Sequence, residues 1–117
     1  MIYLNRFIDL DYHTSMKMNM KEIVTRINYF RNEKNLSGAE LSGRIGKNQD
    51  YINALSSKYF NLPVPVLMDI LEVLEISPVE FFADNYRTYK LDNHLYDTLL
   101  KMSKDKKESL LKFIENE

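Results

Sequence analysis

Apolar side chains recur at intervals of three and four residues through most of this chain, a pattern typical of helices that bury one face. The first such stripe begins after residue 19 and predicts a helix that runs to about Lys34. Asn19 and Glu22 stand three positions apart at its start, which is the spacing of a capping box. The apolar stripe of this first helix consists of Ile23, Val24, Ile27 and Phe30.

Two short helices are predicted next. Ser37 and Glu40 form a second S-x-x-E capping box at the start of helix two. Helix three begins after Asn48, a residue type that often caps helices, and ends near Ser56, so that residues 57–63 form a loop. The apolar positions that point both helices into one core are Leu41, Ile45, Ile52 and Leu55.

Helices four and five complete the central part of the chain. Helix four starts near Val64, with Pro65 in its first turn, where a proline is tolerated. Ser77, Pro78 and Glu80 together indicate the capped start of a short helix five. The core residues expected from these two helices are Leu67, Ile70, Leu71, Leu74, Phe81 and Phe82. Five compact helices between residues 19 and 84 leave no room for a sheet, so the predicted fold class is all-α.

The two ends of the chain lie outside this five-helix domain, which we assign to residues 19–86. In residues 1–18, apolar and polar positions alternate from Ile2 to Tyr12, which favours a strand or an extended arm. A helix fits this arm as well, and a start of translation at a later methionine is a third interpretation. Residues 87–117 predict two helices, with Ser103 as a break or cap between them. A pair this short is marginal alone, so it must pack on the central domain or on another chain.

Residues 36–55 have the features of a helix-turn-helix, the two-helix unit that places a short helix in the major groove of DNA. Ser42 is small where the two helices must approach closely. Gly46 stands where the turn between them needs a residue that tolerates positive φ. No other segment of the chain is as informative about function.

The net charge of −1 is unusual for a nucleic-acid-binding protein, but the charges are unevenly distributed. Residues 21–60 carry seven Lys or Arg and four Asp or Glu, whereas residues 61–86 carry five acids and no Lys or Arg. A basic half and an acidic half are compatible with a face that meets phosphate, and equally with ordinary surface variation.

Signals for other kinds of function are weak. The chain has no cysteine, which excludes a disulfide framework and a cysteine-metal site and fits a reducing cytoplasm. Its two histidines, His13 and His94, lie far apart in the sequence, so we expect no metal site. There are three glycines and no recognisable nucleophile motif or phosphate-binding loop, so we expect no enzyme, no cofactor and no small-molecule substrate. No apolar run approaches the roughly 20 residues of a membrane span, and we expect a cytoplasmic protein without membrane contact.

A set of residues between Arg26 and Phe82 matches a known family in type, spacing and order. The set consists of Arg31, Lys34, Leu36, Ser37, Glu40, Leu41, Ile45, Gly46, Tyr51, Ile52, Leu55, Pro63, Leu71 and the segment from Ile76 to Phe82. With these residues, about half of the chain resembles the lambda repressor/Cro-like domain of the XRE family. The resemblance implies a five-helix DNA-binding domain, here with an N-terminal arm and a C-terminal helical extension, in which helix three is the recognition helix.

The resemblance also implies which residues meet DNA. The residues that would face the bases are Gln49, Asp50, Asn53 and Ala54. Gln and Asn can each bond adenine at two atoms, and Asp can accept from cytosine. The candidates for phosphate contact are Lys47, Asn48, Tyr51, Lys58 and Asn61, together with Gly38, which occupies a position where the family often has a phosphate-binding Gln.

Several positions depart from the family pattern, among them Lys58 and Glu75 where Gly is frequent and Ala54, which is short for base readout. Three positions motivate a second hypothesis. Gly38 lacks the side chain of that Gln, and Asp50 is repelled by phosphate. Ser56 stands where an acid usually pairs with an Arg of helix one, which leaves Arg31 to bond phosphate, Glu33 or another acid. These departures and the near-neutral charge keep a second hypothesis open. It is a protein-interaction module of the same fold, such as an antitoxin or a mobile-element accessory factor, with weak or no DNA binding.

The first hypothesis is a sequence-specific transcription regulator of the XRE type that binds double-stranded DNA as a homodimer. One short recognition helix reads few base pairs, so a second copy on a pseudo-palindrome would supply the rest, with half-sites about 34 Å apart. We expect residues 1–15 or 91–117 to form the dimer contact. Deletion of residues 91–117 should then weaken self-association.

Overall fold

The computed structural model describes residues 18–116, which contain seven α-helices and no strand. The helices are α1 (Met20–Glu33), α2 (Gly38–Arg44), α3 (Tyr51–Lys58), α4 (Val64–Leu74), α5 (Pro78–Phe82), α6 (Tyr89–Lys101) and α7 (Lys104–Glu115). A 3-10 helix, Tyr86–Thr88, precedes α6. The all-α fold class is confirmed for this part of the chain. Residues 1–17, which include most of the expected arm and His13, lie outside the described residues.

Four helices begin at the capping residues that the sequence indicated. The side chain of Asn19 accepts an N–H group in the first turn of α1 at 3.0 Å. At α2 the capping box is complete, because Ser37 accepts the Glu40 N–H at 3.0 Å and the Glu40 carboxylate accepts the Ser37 N–H at 2.9 Å. Ser77 and Ser103 cap α5 and α7. These bonds satisfy N–H groups that a helix start leaves unpaired, so the positions of these starts are encoded locally.

The described chain forms two compact units, residues 18–76 and 77–116. In the first unit, α3 contacts α1 and α2, and α4 also contacts α1 and α2. Within this first unit, the expected core is confirmed except at Ile23 and Ile45, which are only half-buried. The buried apolar side chains of the first unit are Val24, Ile27, Phe30, Leu36, Leu41, Ile52, Leu55, Leu67, Ile70, Leu71 and Leu74.

Three helices of the first unit are followed by residues in the left-handed region of backbone conformation. Asn35, Tyr59 and Glu75 have φ between 51° and 58°, each just after α1, α3 or α4. A residue of this kind turns the chain sharply and ends a helix. Glu75 also pairs with Lys34 at 3.0 Å, which joins the end of α4 to the end of α1. Both side chains are exposed, so the pair contributes little to stability.

The second unit begins with α5, which the sequence grouped with the first four helices. Phe81 is buried as expected, but Phe82 is 43% exposed, so the prediction of Phe82 as a core residue is wrong. Neighbouring residues of a helix point about 100° apart, so a five-residue helix need not bury both. Helices α6 and α7 are confirmed, and neither contains a buried side chain. None of the described helices is long and apolar enough to cross a membrane.

Candidate nucleic-acid interface

A buried serine joins α2 to α3. The Ser42 hydroxyl donates to the Gly38 carbonyl one turn earlier at 2.7 Å and accepts the Ile52 N–H at 3.0 Å. Ile52 lies in the first turn of α3, where N–H groups have no acceptor within their own helix, so Ser42 acts as a cap supplied by another helix. Ser42 is fully buried. The close approach of the two helices at this serine, which the sequence predicted, is confirmed.

The turn between α2 and α3 contains the glycine that the sequence singled out. Gly46 has a φ of +74°, which confirms that this position needs a residue tolerant of positive φ. Asn48 does not cap α3. Its Oδ1 accepts the Asp50 N–H at 2.9 Å within the turn, and α3 begins only at Tyr51. The predicted start directly after Asn48 is therefore wrong, because the asparagine side chain closes a local turn instead.

The end of α3 also differs from the prediction. The helix continues to Lys58, beyond the expected end near Ser56, and the chain leaves it through Tyr59. Asp50 occupies the N-cap position of α3 but makes no side-chain cap bond. The buried Ser42 bridge therefore takes over part of the capping that Asp50 leaves open.

The residues that the sequence assigned to base contacts lie on the outer surface of the helix pair formed by α2 and α3 (residues 38–58), which we call the α2–α3 unit. Gln49, Asp50 and Asn53 are exposed, whereas Ala54 is half-buried. Gln49 and Asp50 belong to the turn before the helix, and Asn53 belongs to the helix itself. Among the residues that the structure describes, none bonds to the side chains of these three exposed residues. Their polar groups are thus free to meet an external ligand.

The residues assigned to phosphate divide between the two ends of α3. Lys47 and Asn48 are exposed before the helix, and Lys58 and Asn61 are exposed at its end and just beyond it. Tyr51 is only half-buried and packs edge-on against Phe60, with 5.4 Å between the ring centroids.

Tyr51 also lies beneath a lysine. The Lys47 Nζ is 5.3 Å from the centroid of the tyrosine ring, within the range of a cation–π contact worth roughly 0.5–1 kcal/mol at exposed sites. The contact holds Lys47 near the start of α3. The sequence predicted a phosphate contact for Tyr51, and the structure adds a packing role.

Gly38 lies beneath Asn53. A Cβ atom at Gly38 would overlap the Asn53 Oδ1 and would lie 3.1 Å from its Cγ, which is tighter than side chains normally approach. Gly38 is buried although it is the first residue of α2. Any effect of Gly38 on an external ligand therefore runs through the orientation of Asn53.

Arg31 has two neutral hydrogen-bond partners. Its Nη1 donates to the Leu36 carbonyl at 2.7 Å, and its Nε donates to the Asn28 Oδ1 at 3.1 Å. Asn28 in turn donates to the Ser56 Oγ at 3.0 Å, and Ser56 donates to the Ile52 carbonyl at 2.9 Å. An asparagine–serine pair thus ties α1 to α3.

Sequence reasoning missed Asn28 in this network. The asparagine is three residues before Arg31 on the same helix, which is a helical neighbour spacing, but nothing local pairs it with Ser56 on α3. Of the alternatives offered for Arg31, the contact with Glu33 is not formed: Arg31 bonds Asn28 and Leu36, and the Glu33 carboxylate accepts from the Tyr29 hydroxyl at 2.9 Å.

The charges on the α2–α3 unit are mixed. Arg44, Lys47 and Lys58 are exposed cations, and Glu40 and Asp50 are exposed acids. The Ser37 N–H group and the Ser37 hydroxyl hold the pKa of Glu40 below its usual value, and Arg44 adds to this effect. Glu40 is therefore ionised at neutral pH. The small excess of cations would attract phosphate only modestly at long range.

No known protein family matches the chain, and neither a curated protein nor a solved structure matches it.

Proposed function

We propose that this chain is a cytoplasmic transcription regulator of the XRE type that binds double-stranded DNA through α2 and α3 as a homodimer. The observation that carries the proposal is the buried Ser42 bridge, which holds two short helices together while Gln49 and Asn53 face outward. A helix-turn-helix needs this arrangement, because its second helix enters the major groove and presents its first residues to base edges. In this proposal, α1 to α5 correspond in order to the five helices of a lambda-repressor-like domain.

The dimensions of α3 support insertion into the groove. An α-helix with its side chains is about 10–12 Å across, which matches the roughly 12 Å width of the major groove of B-DNA. Lys47 and Asn48 precede the helix, and Lys58 and Asn61 lie at its other end, so both ends of α3 carry candidates for phosphate contact. Between them, Gln49 and Asn53 would bond adenine, and Asp50 would accept from cytosine; Tyr51 and Gly38 would act by supporting their neighbours.

The test is the selection of bound sequences from a random DNA pool by the full chain, followed by affinity measurements over a range of salt concentrations. We expect a two-fold symmetric consensus sequence. If Lys47 and Lys58 of both copies each neutralise one phosphate, the logarithm of affinity should fall with the logarithm of salt with a slope of about −3.6. A pool without enrichment, or an affinity that salt leaves unchanged, would contradict the proposal.

The Gln49→Ala variant separates base readout from positioning. The loss should be roughly 1–3 kcal/mol on the selected site if Gln49 bonds adenine at two atoms, with little loss on random DNA. Gln49 is exposed, so the free energy of unfolding should not change. Asn32→Ala, which removes an exposed amide from α1, is the matched control and should leave DNA affinity intact. Equal loss on both kinds of DNA would show that Gln49 does not read sequence.

The second candidate is a protein-interaction module, such as an antitoxin or a mobile-element accessory factor, with little DNA binding. It is favoured by Asp50, an exposed acid at the start of α3 without a cap bond, where DNA phosphates would repel it. A module of this kind should bind no DNA even at low salt. The Asp50→Asn variant distinguishes the candidates. If Asp50 accepts from cytosine, the variant should bind the selected site more weakly than the wild type, whereas in an interaction module neither protein should bind DNA.

A further inference from the structure

The two C-terminal helices leave a broad apolar surface uncovered. Eight of their large apolar side chains are between 38% and 66% exposed. They are Leu91, Leu95, Tyr96, Leu99, Leu100, Leu111, Phe113 and Ile114. A groove of about 400 Å³ lies between the helices, and its lining is apolar apart from Lys107. We call these eight side chains and the groove the α6–α7 face.

Helices of this length need to bury such a face. α6 has 13 residues and α7 has 12, and isolated helices shorter than about 12–15 residues are marginal in water. Local signals are present in α7, since Ser103 accepts the Lys106 N–H at 3.2 Å and Lys104 pairs with Glu108 at 3.7 Å. An exposed ion pair adds little, so burial of the apolar side must supply the remaining stability.

The exposed area of the α6–α7 face is close to the area that a dimer contact requires. At about 150 Å² for each side chain, the lower end of the range for aromatic residues, the exposed fractions of the eight side chains leave on the order of 700 Å². A standard protein–protein interface buries about 800 Å² on each partner. A second copy of the same face is large enough to cover this surface.

The charges around the face also favour a second copy. α6 carries two lysines and two aspartates, and α7 carries four lysines and three acids. With the two signs nearly balanced, two copies meet without net repulsion. A helix that lies on an anionic membrane has a strongly basic polar face, which neither helix has.

We propose that the α6–α7 face is the contact between two copies of this chain, with the two helices of one copy packed on those of the other about a two-fold axis. Such an axis places the same patch on both sides of the contact, so no second binding surface is needed. The biological role of this contact rests on the proposed function, because a dimer would hold two recognition helices at the defined spacing that DNA requires.

The test measures the mass of the full chain in solution without DNA, by light scattering or sedimentation. Leu100→Glu and Ile114→Glu each place a carboxylate in the groove, at side chains that are 58% and 57% exposed, so a single copy should still fold. His94→Glu is the matched control. It introduces the same residue at an exposed position on the other side of α6 from Tyr96 and Leu99.

We expect the wild type and His94→Glu to have twice the chain mass of 13.9 kDa. The two groove variants should have the mass of one chain, with at least about tenfold weaker self-association. Their helical circular dichroism signal should fall by no more than the share of α6 and α7, because the first unit does not depend on this contact.

Three results would overturn the inference. The first is a wild-type chain that keeps the mass of one copy at every concentration measured. The second is a dimer that the groove variants leave intact. The third is a single-copy wild type that sediments with phosphatidylserine vesicles and loses this binding in Leu100→Glu, which would assign the face to a membrane surface.

DNA binding, measured separately, keeps the two proposals apart. A single-copy chain that still enriches a DNA consensus would contradict the interface and leave the proposed function standing. A dimer that binds no DNA would contradict the proposed function and leave the interface standing.

Discussion

Replacement of Gly38 by alanine tests the contact between α2 and α3 at its tightest point. The added Cβ would overlap the Asn53 Oδ1, so the Asn53 side chain has to rotate away. Asn53 is exposed, and the backbone need not move. Displacement from a favoured rotamer costs on the order of 0.5–1.5 kcal/mol. Alanine in place of a helical glycine stabilises the folded chain by up to about 0.5–1 kcal/mol. The two effects oppose each other, so the net change in the free energy of unfolding should stay below about 1 kcal/mol.

Gly43 in the same helix provides the matched control. Nothing lies within 4 Å of a Cβ built on Gly43, so Gly43→Ala should stabilise the chain by about 0.5–1 kcal/mol. The difference between the two variants isolates the displacement of Asn53. In an Asn53→Ala background the atoms that obstruct the new Cβ are absent. The difference between the two variants should then shrink to the small difference in helix propensity between the first residue of α2 and a later one. The measurement is urea unfolding followed by circular dichroism.

Equal stabilisation by Gly38→Ala and Gly43→Ala, with Asn53 in place, would refute the close approach. Under the proposed function, Gly38→Ala should also weaken binding to the selected DNA site as much as Asn53→Ala does, while Gly43→Ala leaves affinity unchanged. A larger loss in Gly38→Ala than in Asn53→Ala would show that Gly38 acts on DNA by a route other than the orientation of Asn53.

Two further predictions concern the caps of α3 and α2. Ser42→Ala removes the acceptor of the buried Ile52 N–H and should lower the free energy of unfolding by about 1–3 kcal/mol in urea titrations. Ser57→Ala, which removes an exposed hydroxyl bonded within its own helix, should change it by less than about 0.5 kcal/mol, and similar losses in both variants would contradict the bridging role. The lowered pKa of Glu40 means that its ionised form stabilises the folded chain above the ordinary value of 4.5, and that this contribution is lost as the pH falls through the lowered pKa. Glu40→Gln should therefore show a flatter fall in stability below pH 4.5, and a profile parallel to that of the wild type would speak against the capping box.

The helices that the sequence predicted correctly depend on short-range interactions. The capping side chains of Asn19, Ser37, Ser77 and Ser103 each bond an N–H group three residues ahead, so the residues that define the start of the helix stand side by side in the sequence. The apolar periodicity of α1 and α4 is equally local. Both signals can be recognised without knowledge of any distant partner.

The start of α3 shows that residue type and spacing alone do not always predict where a helix begins. Asn48 suits the N-cap position by residue type, but its side chain closes a turn, and the cap bond comes from Ser42, ten residues before Ile52. The burial of Phe81 and the exposure of Phe82 pose the same problem, because helical spacing alone does not say which of two neighbouring rings meets the core.

The sequence by itself determined the helical class, the starts of most helices, the positive φ of Gly46 and the small residue at Ser42. Only the tertiary structure decided that Gly38 lies under Asn53, and that a hydrogen bond between Asn28 and Ser56 joins α1 to α3. The physical reason is the separation in sequence of the residues that interact. Caps and periodic stripes join residues within one or two turns, whereas these contacts join residues of different helices, and their geometry exists only once the helices have packed.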